Sequence, residues 1–203
     1  MNSIWEADIK KIEETYKGLS SVDLVFIGSS SIVYWTTLKE DFKAYSVVNA
    51  GFGGSKIQDA IDAYERLVKP YDPSLIVLFS GTNDLHGEQD SATPAYVCDK
   101  VEEFMRLSLK HCPKAKLFYI SLTPAPCRFN VITDVLKANR LIKHLSKTIG
   151  FTFIDLQDEF LDSGMPRLDL FLEDALHMNS KGYEKWVSVI KPMVDHAMMD
   201  RCL

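Results

Sequence analysis

Four short stretches of this chain carry residue types that do chemistry together: Gly28-Ser29-Ser30-Ser31, Gly53-Gly54, Gly81-Thr82-Asn83-Asp84 and Asp174-Ala175-Leu176-His177. A serine hydroxyl becomes a nucleophile only beside a base, and the tetrahedral intermediate of acyl transfer needs donors aimed at its oxygen. In order, the stretches supply a candidate nucleophile, a backbone donor, a side-chain donor, and a base with an acid to orient it. Together they point to esterase-type chemistry.

Each stretch also has an ordinary structural use. Serines after Gly28 can cap a helix, Gly53-Gly54 can make a tight turn, and Asn83 can close an Asx turn, with Asp84 as a turn residue beside it. The catalytic reading makes Ser30 the nucleophile, its own N–H and that of Gly54 oxyanion donors, and the Asn83 carboxamide a third donor. The elbow G-x-S-x-G is not satisfied, because Ile32 stands where its second glycine belongs. Gly51-Phe52-Gly53-Gly54-Ser55-Lys56 likewise misses the spacing of phosphate and dinucleotide loops. Asp174 and His177 are three residues apart, so one carboxylate can hold one imidazole nitrogen and leave the other for Ser30. Of the five histidines, His86, His111, His144 and His196 lack such a setting. His86 is placed at the pocket mouth, and Trp35, Phe52, Leu85 and Met178 are expected with it as substrate-binding walls. Tyr34 and Phe129 are further candidates.

Positioning these residues requires strands that end just before them. Val22–Ile27, Ser46–Asn49, Leu75–Phe79, Lys116–Leu122 and Phe151–Ile154 read as five buried strands. Helical stripes alternate with them. Trp5, Ile9, Ile12 and Tyr16 come first; Ile57, Ala60, Ile61, Tyr64 and Val68 follow a capping box at Ser55. Thr93-Pro94 opens a helix through Val97, Val101 and Phe104, and Val131 to Ile149 forms a long amphipathic helix. Ser180 caps a last helix through Tyr183, Trp186, Val187, Ile190 and Val194, with a bend at Pro192. Alternating strands and helices imply a parallel sheet covered on both faces, a three-layer α/β/α sandwich. For five strands the order 2-1-3-4-5 is expected, with ligands beyond the carboxyl ends, where Ser30, Gly54 and Asn83 all fall.

The 203 residues suit one domain spanning 1–203. A net charge of −5 argues against a sequence-independent nucleic-acid binder. No signal peptide or membrane-spanning run is read from the sequence, and the expected location is cytoplasmic. Cys98, Cys112, Cys127 and Cys202 show no CxxC pair and are read as free thiols. Neither metal nor cofactor is expected. A homodimer is compatible with the sequence, although no feature locates its interface.

With these residues in hand, the chain resembles the SGNH (GDSL-like) hydrolase superfamily. The resemblance rests on Phe26-Ile27-Gly28-Ser29-Ser30, Asn49-Ala50-Gly51-Phe52-Gly53-Gly54, Gly81-Thr82-Asn83-Asp84 and Asp174 through Tyr183, over about Val22 to Val194. It implies a flavodoxin-like fold and metal-free ester hydrolysis. By motif position it implies Ser30 as nucleophile, Gly54 and Asn83 as oxyanion donors, His177 as base and Asp174 as its partner. Ser29 stands where the family usually has Asp. Gly28-Ser29-Ser30-Ser31-Ile32, Trp35 and Ile120–Pro126 look similar to a bacterial lipase/acylhydrolase branch. The expected substrate is a small carboxylic ester, an acetyl or short acyl ester ahead of a long lipid, because no lid insertion is visible. Thioester hydrolysis, lysophospholipase activity and acyl transfer to another alcohol use the same residues. A nucleotide- or flavin-binding module, or a catalytically silent domain of the same fold, is the rival class.

Overall fold

The computed structural model describes residues 4–199. Five strands run in parallel: β1 (Leu24–Gly28), β2 (Val47–Gly51), β3 (Leu75–Phe79), β4 (Lys116–Ile120) and β5 (Thr152–Ile154). Their order is β2-β1-β3-β4-β5. β1 and β3 are buried along their whole length, which is why their sequences are continuous apolar runs. Leu24 pairs with both Val47 and Leu75, and the register continues to Gly28 opposite Gly51 and Phe79.

The nine α-helices of the described residues are α1 (Glu6–Thr15), α2 (Ser30–Val33), α3 (Leu38–Asp41), α4 (Ile57–Asp62), α5 (Tyr64–Leu67), α6 (Pro94–His111), α7 (Ile132–Ile149), α8 (Gln157–Phe160) and α9 (Ser180–Met199). Alternate strand residues divide between two cores. Val25 and Ile27 face one built with α1, α4, α5, α6 and α7. Leu24 and Phe26 face another built with α2, α3, α8 and α9. The second core is rich in rings: Trp35, Phe26, Phe42, Phe79, Tyr183 and Trp186 pack edge-on or tilted at centroid distances of 4.8–6.0 Å. Each such buried side chain contributes about 1.5–3 kcal/mol by leaving water, so this layer is a firm base for α2 and α9.

Several boundaries differ from the sequence expectation. The stripe from Ile57 to Val68 is broken at Ala63 into α4 and α5. α4 starts after Lys56, whose N–H donates to Asp59 (2.8 Å), while the Ser55 hydroxyl turns inward onto the Phe52 carbonyl (2.9 Å). α9 is capped by Asn179, not Ser180: Asn179 Oδ1 accepts from the N–H groups of Lys181 and Gly182 at 3.0 and 3.2 Å. It continues through Pro192 as one helix. The α6 start is as read, with Thr93 Oγ1 accepting from the Tyr96 N–H at 3.2 Å ahead of Pro94. A short hairpin of β6 (Leu161–Asp162) and β7 (Met165–Pro166) lies outside any sequence expectation. Cys98, Cys112 and Cys127 are free thiols; Cys202 lies outside the described residues.

Candidate active site

The strand order reverses between β1 and β3, since β2 lies on one side of β1 and β3, β4 and β5 on the other. Open α/β sheets leave a crevice at such a switch point, beyond the carboxyl ends of the strands. Ser30 follows β1 and Asn83 follows β3. The two strand ends approach so closely that a Cβ on Gly28 would overlap the Phe79 carbonyl, so only glycine fits there.

Ser30 opens the single-turn helix α2. So short a helix has little stability of its own, and its neighbours hold it. Tyr183 Oη donates to the Ser31 carbonyl (2.9 Å), and Asn49 Nδ2 donates to the Ile32 carbonyl (2.8 Å). Ser30 is therefore tethered from α9 on one side and β2 on the other.

His177 and Asp174 come from the segment before α9. Leu172 N–H donates to the His177 carbonyl at 2.8 Å, and Phe171 and Met178 form an antiparallel bridge. Within this loop Asp174 Oδ1 accepts from the N–H groups of Leu176 and His177, both at 2.9 Å, while Oδ2 meets His177 Nδ1 at 2.6 Å. The turn forces Ala175 to φ 53°, an uncommon conformation for a residue with a Cβ. The backbone N–H of His177 together with its ring, and then the N–H of Leu176, hold the Asp174 carboxyl down at about 2. His177 Nε2 lies 3.1 Å from Ser30 Oγ, and the edge of the Tyr34 ring packs against the imidazole at 4.9 Å between centroids. A carboxylate, an imidazole and a hydroxyl in hydrogen-bonded series can move a proton off the hydroxyl.

Opposite this series lies Asn83. Its Nδ2 donates to the Ser55 carbonyl (3.1 Å), and its Oδ1 accepts from Arg128 Nη2 (3.1 Å). Arg128 Nη1 also donates to the Thr82 carbonyl at 2.6 Å, and burial lowers the pKa of this guanidinium. Asp84, the expected turn residue, is buried and accepts from the Ile57 N–H at the start of α4 (3.0 Å). Burial raises its carboxyl above the ordinary value. Thus the loop after β2 and the loop after β3 are fastened together at two points, Asn83 to Ser55 and Asp84 to Ile57.

Ser30, Asn83, Thr123, Ala125, Arg128, Phe171, Leu176, His177 and Met178 are among the walls of a small cleft with a volume of about 20 Å³. The buried Thr123 hydroxyl has no hydrogen-bond partner among the described residues. A wider groove of about 530 Å³ adjoins it through Met178 and is lined by Tyr34, Leu172, Asn179, Tyr183 and Glu184 among others.

The structure thus brings together Ser30, Asn83, Asp174, His177 and Met178 of the sequence-expected residues. Gly54 lies between β2 and α4 with φ 75°, and a Cβ there would press on the Trp5 ring; it is not among the cleft walls. Three expected walls are core instead. Trp35 is 1% exposed and packs on Trp186, Phe52 (1%) packs beside Trp5, and Leu85 (0%) sits among the α4–α7 core. Each turns inward because a large apolar side chain gains more by leaving water for the core beneath than by lining an open cleft. His86 lies on the loop after Leu85, with Nε2 3.5 Å from Asp90, away from the cleft walls, and Phe129 is exposed. Arg128 and Thr123 were not anticipated. Thr123 lies in the Ile120–Pro126 stretch that carries the resemblance, while the signal for Arg128 is position alone: both follow β4, whose carboxyl end opens on the same sheet edge as β1 and β3.

This combination of a doubly wound parallel sheet and a Ser-His-Asp series at its switch point has the form of a serine hydrolase outside the nucleophile-elbow class. Residues 29–185 match the model of the GDSL-like Lipase/Acylhydrolase family, and the chain belongs to that family, hydrolases acting on ester bonds. No curated protein matches the chain. Among solved structures it is similar to a GDSL-like lipase from Bacteroides thetaiotaomicron, with TM-score 0.79, 20% identity, 94% of this chain and 98% of that one. It is also similar to the lipase/acylhydrolase from Enterococcus faecalis (TM-score 0.71, 19% identity, 86% and 96% covered). A third is the acetyl xylan esterase AlAXEase (0.71, 22%, 85% and 99%). At these identities the likeness is one of fold. No helix of the described residues is long and apolar enough to cross a membrane.

Proposed function

We propose that this chain hydrolyses small carboxylic esters through an acyl-enzyme on Ser30. The observation that carries this reading is the contact of His177 Nε2 with Ser30 Oγ at 3.1 Å while Nδ1 is held by Asp174 at 2.6 Å. The Asp174 contact sets the tautomer with its proton on Nδ1, leaving Nε2 to accept from the hydroxyl. Ser30 attacks the ester carbonyl as His177 takes its proton. The oxyanion is bound by the Asn83 amide and the N–H of Ser30, which opens α2, where first-turn N–H groups have no acceptor within the helix. Gly54, which precedes α4 and is not a cleft wall, keeps its donor role on the sequence motif alone. His177 then protonates the leaving alcohol, and water repeats the sequence to release the acid.

A small acyl group, acetyl first, is favoured by the cleft beside Ser30. Its volume of about 20 Å³ leaves little room for a long acyl chain. The wider groove on the Tyr34 side offers room for the alcohol portion. The acetyl xylan esterase of the same fold lends this reading support. None of these steps requires a metal ion or a cofactor.

The test is labelling with a fluorophosphonate, followed by turnover of acetyl, butyryl and longer p-nitrophenyl esters, acetylated sugars and acyl thioesters. Labelling confined to Ser30, with kcat/KM falling as the acyl chain lengthens, supports the proposal. Absence of both labelling and turnover marks a silent domain. Preference for thioesters or long acyl chains overturns the substrate assignment alone.

A further inference from the structure

Whether Asn83 can serve an oxyanion depends on which way its carboxamide faces, and two neighbours decide that. Oδ1 accepts from Arg128 Nη2 at 3.1 Å, and Nδ2 gives one of its two hydrogens to the Ser55 carbonyl at 3.1 Å. A 180° flip would set the NH2 group against guanidinium donors and Oδ1 against a carbonyl oxygen, replacing two hydrogen bonds by two repulsive contacts. In the observed orientation the second Nδ2 hydrogen remains for the cleft that Asn83 shares with Ser30.

Arg128 is unusually placed for this task. Its guanidinium donates to the Thr82 and Asn83 oxygens, and among the described residues it pairs with no carboxylate. Its positive charge is therefore directed onto the Asn83 loop. The neighbouring Cys127 N–H donates to the Ala175 carbonyl (3.0 Å) between Asp174 and His177. The turn Pro126–Val131 thus fastens the loop of the base to the loop of the side-chain donor.

We propose that Arg128 is a positioning residue: it holds the Asn83 carboxamide with its amino group towards the oxyanion site, and its charge strengthens that group as a donor. The inference rests on the hydrolase reading for its kinetic consequence. Its structural consequence, one fixed orientation of the Asn83 amide, stands apart from turnover.

The experiment compares wild type, Arg128→Met, Arg128→Lys, Asn83→Ala and Asn83→Ala/Arg128→Met, with thermal unfolding as the check on folding. Loss of an oxyanion donor costs about 10²–10³-fold in kcat. Arg128→Met is expected to lose about 10–100-fold in kcat with KM within about twofold, and Arg128→Lys to recover part of the loss. In the Asn83→Ala background Arg128→Met should remove less than about threefold more, since the two act through one interaction. In amide NMR the Asn83 side-chain pair, assigned by its disappearance in Asn83→Ala, should be single in wild type and shifted or doubled in Arg128→Met.

Three results overturn the inference: an unchanged Asn83 amide pair, a kcat loss that multiplies fully with that of Asn83→Ala, or a rise in KM confined to anionic esters. The last would make the guanidinium a substrate anion site. A wild type that neither labels with fluorophosphonate nor turns over esters instead overturns the hydrolase reading, and the NMR comparison still decides the role of Arg128.

Discussion

The two sides of the cleft are built on opposite principles. On the side of Ser30 and His177, the Asp174 and His177 side chains keep 47% and 22% of their surface exposed, and the pair sits in a loop with a strained Ala175. On the side of Asn83, the supporting polar groups are withdrawn from water: Ser55 and Asp84 are 0% and 2% exposed, and each hydrogen-bonds to backbone. A group that must gain and lose a proton benefits from contact with water. A donor that must point at a fixed place benefits from a buried scaffold, where an unmade hydrogen bond is costly. The comparison teaches that changes on the first side should cost chiefly turnover, while changes beneath the second should cost stability as well.

The sharpest way to break this contrast is at Ser30, the proposed nucleophile. Ser30→Ala is expected to lower kcat on an acetyl ester by on the order of 10⁶-fold and to abolish fluorophosphonate labelling, with the melting temperature unmoved; residual labelling would transfer the role to Ser29 or Ser31. Asp174→Asn should cost up to about 10⁴-fold in kcat by releasing the imidazole tautomer, with only a modest fall in melting near neutral pH because Asn keeps the Oδ1 that accepts from the Leu176 and His177 N–H groups. Asn83→Ala should cost about 10²–10³-fold, read as kcat with KM nearly constant. Asp84→Ala, farther from the chemistry, should destabilise by about 1–3 kcal/mol because it strands the Ile57 N–H, and urea unfolding measures it. Asp84→Asn keeps an acceptor and should be milder.

The two aspartates also differ in the sign of their pH dependence. Asp174 is held at about 2, so its stabilisation is complete above the unfolded value of about 3.9 and is lost as pH falls towards the folded one. Asp84 is raised by burial; its contribution is present below the ordinary carboxylate range and is lost as pH rises through the raised value. Melting followed across acid pH should therefore lose its low-pH decline in part with Asp174→Asn, and lose an opposing trend with Asp84→Asn. Like signs for the two would refute the contrast.

Much of this architecture was legible in the residues. β1 and β3 declare themselves because strands covered on both faces have no polar side to interrupt them, and five strands joined by helices favour the order found. Asp174 and His177 were legible because three residues of spacing is a local relation. What escaped depended on distant partners. Ser55 and Ser180 are good cap formers, yet the caps fell one residue away because the Ser55 hydroxyl found the Phe52 carbonyl and Asn179 found the α9 amides. Trp35, Phe52 and Leu85 lie within a few residues of the site, and nothing local distinguishes a ring that lines a cleft from one that faces the core beneath it. Arg128 carries no motif at all; only the convergence of strand ends places it beside Asn83.

The bridge between Phe171 and Met178 has a mechanical consequence. Because it closes the loop that contains both Asp174 and His177, those two groups form a single cartridge. The Cys127 N–H donating to the Ala175 carbonyl pins that cartridge from outside, so the gap to the Ser30 hydroxyl is set by the loop's anchorage rather than by either side chain alone.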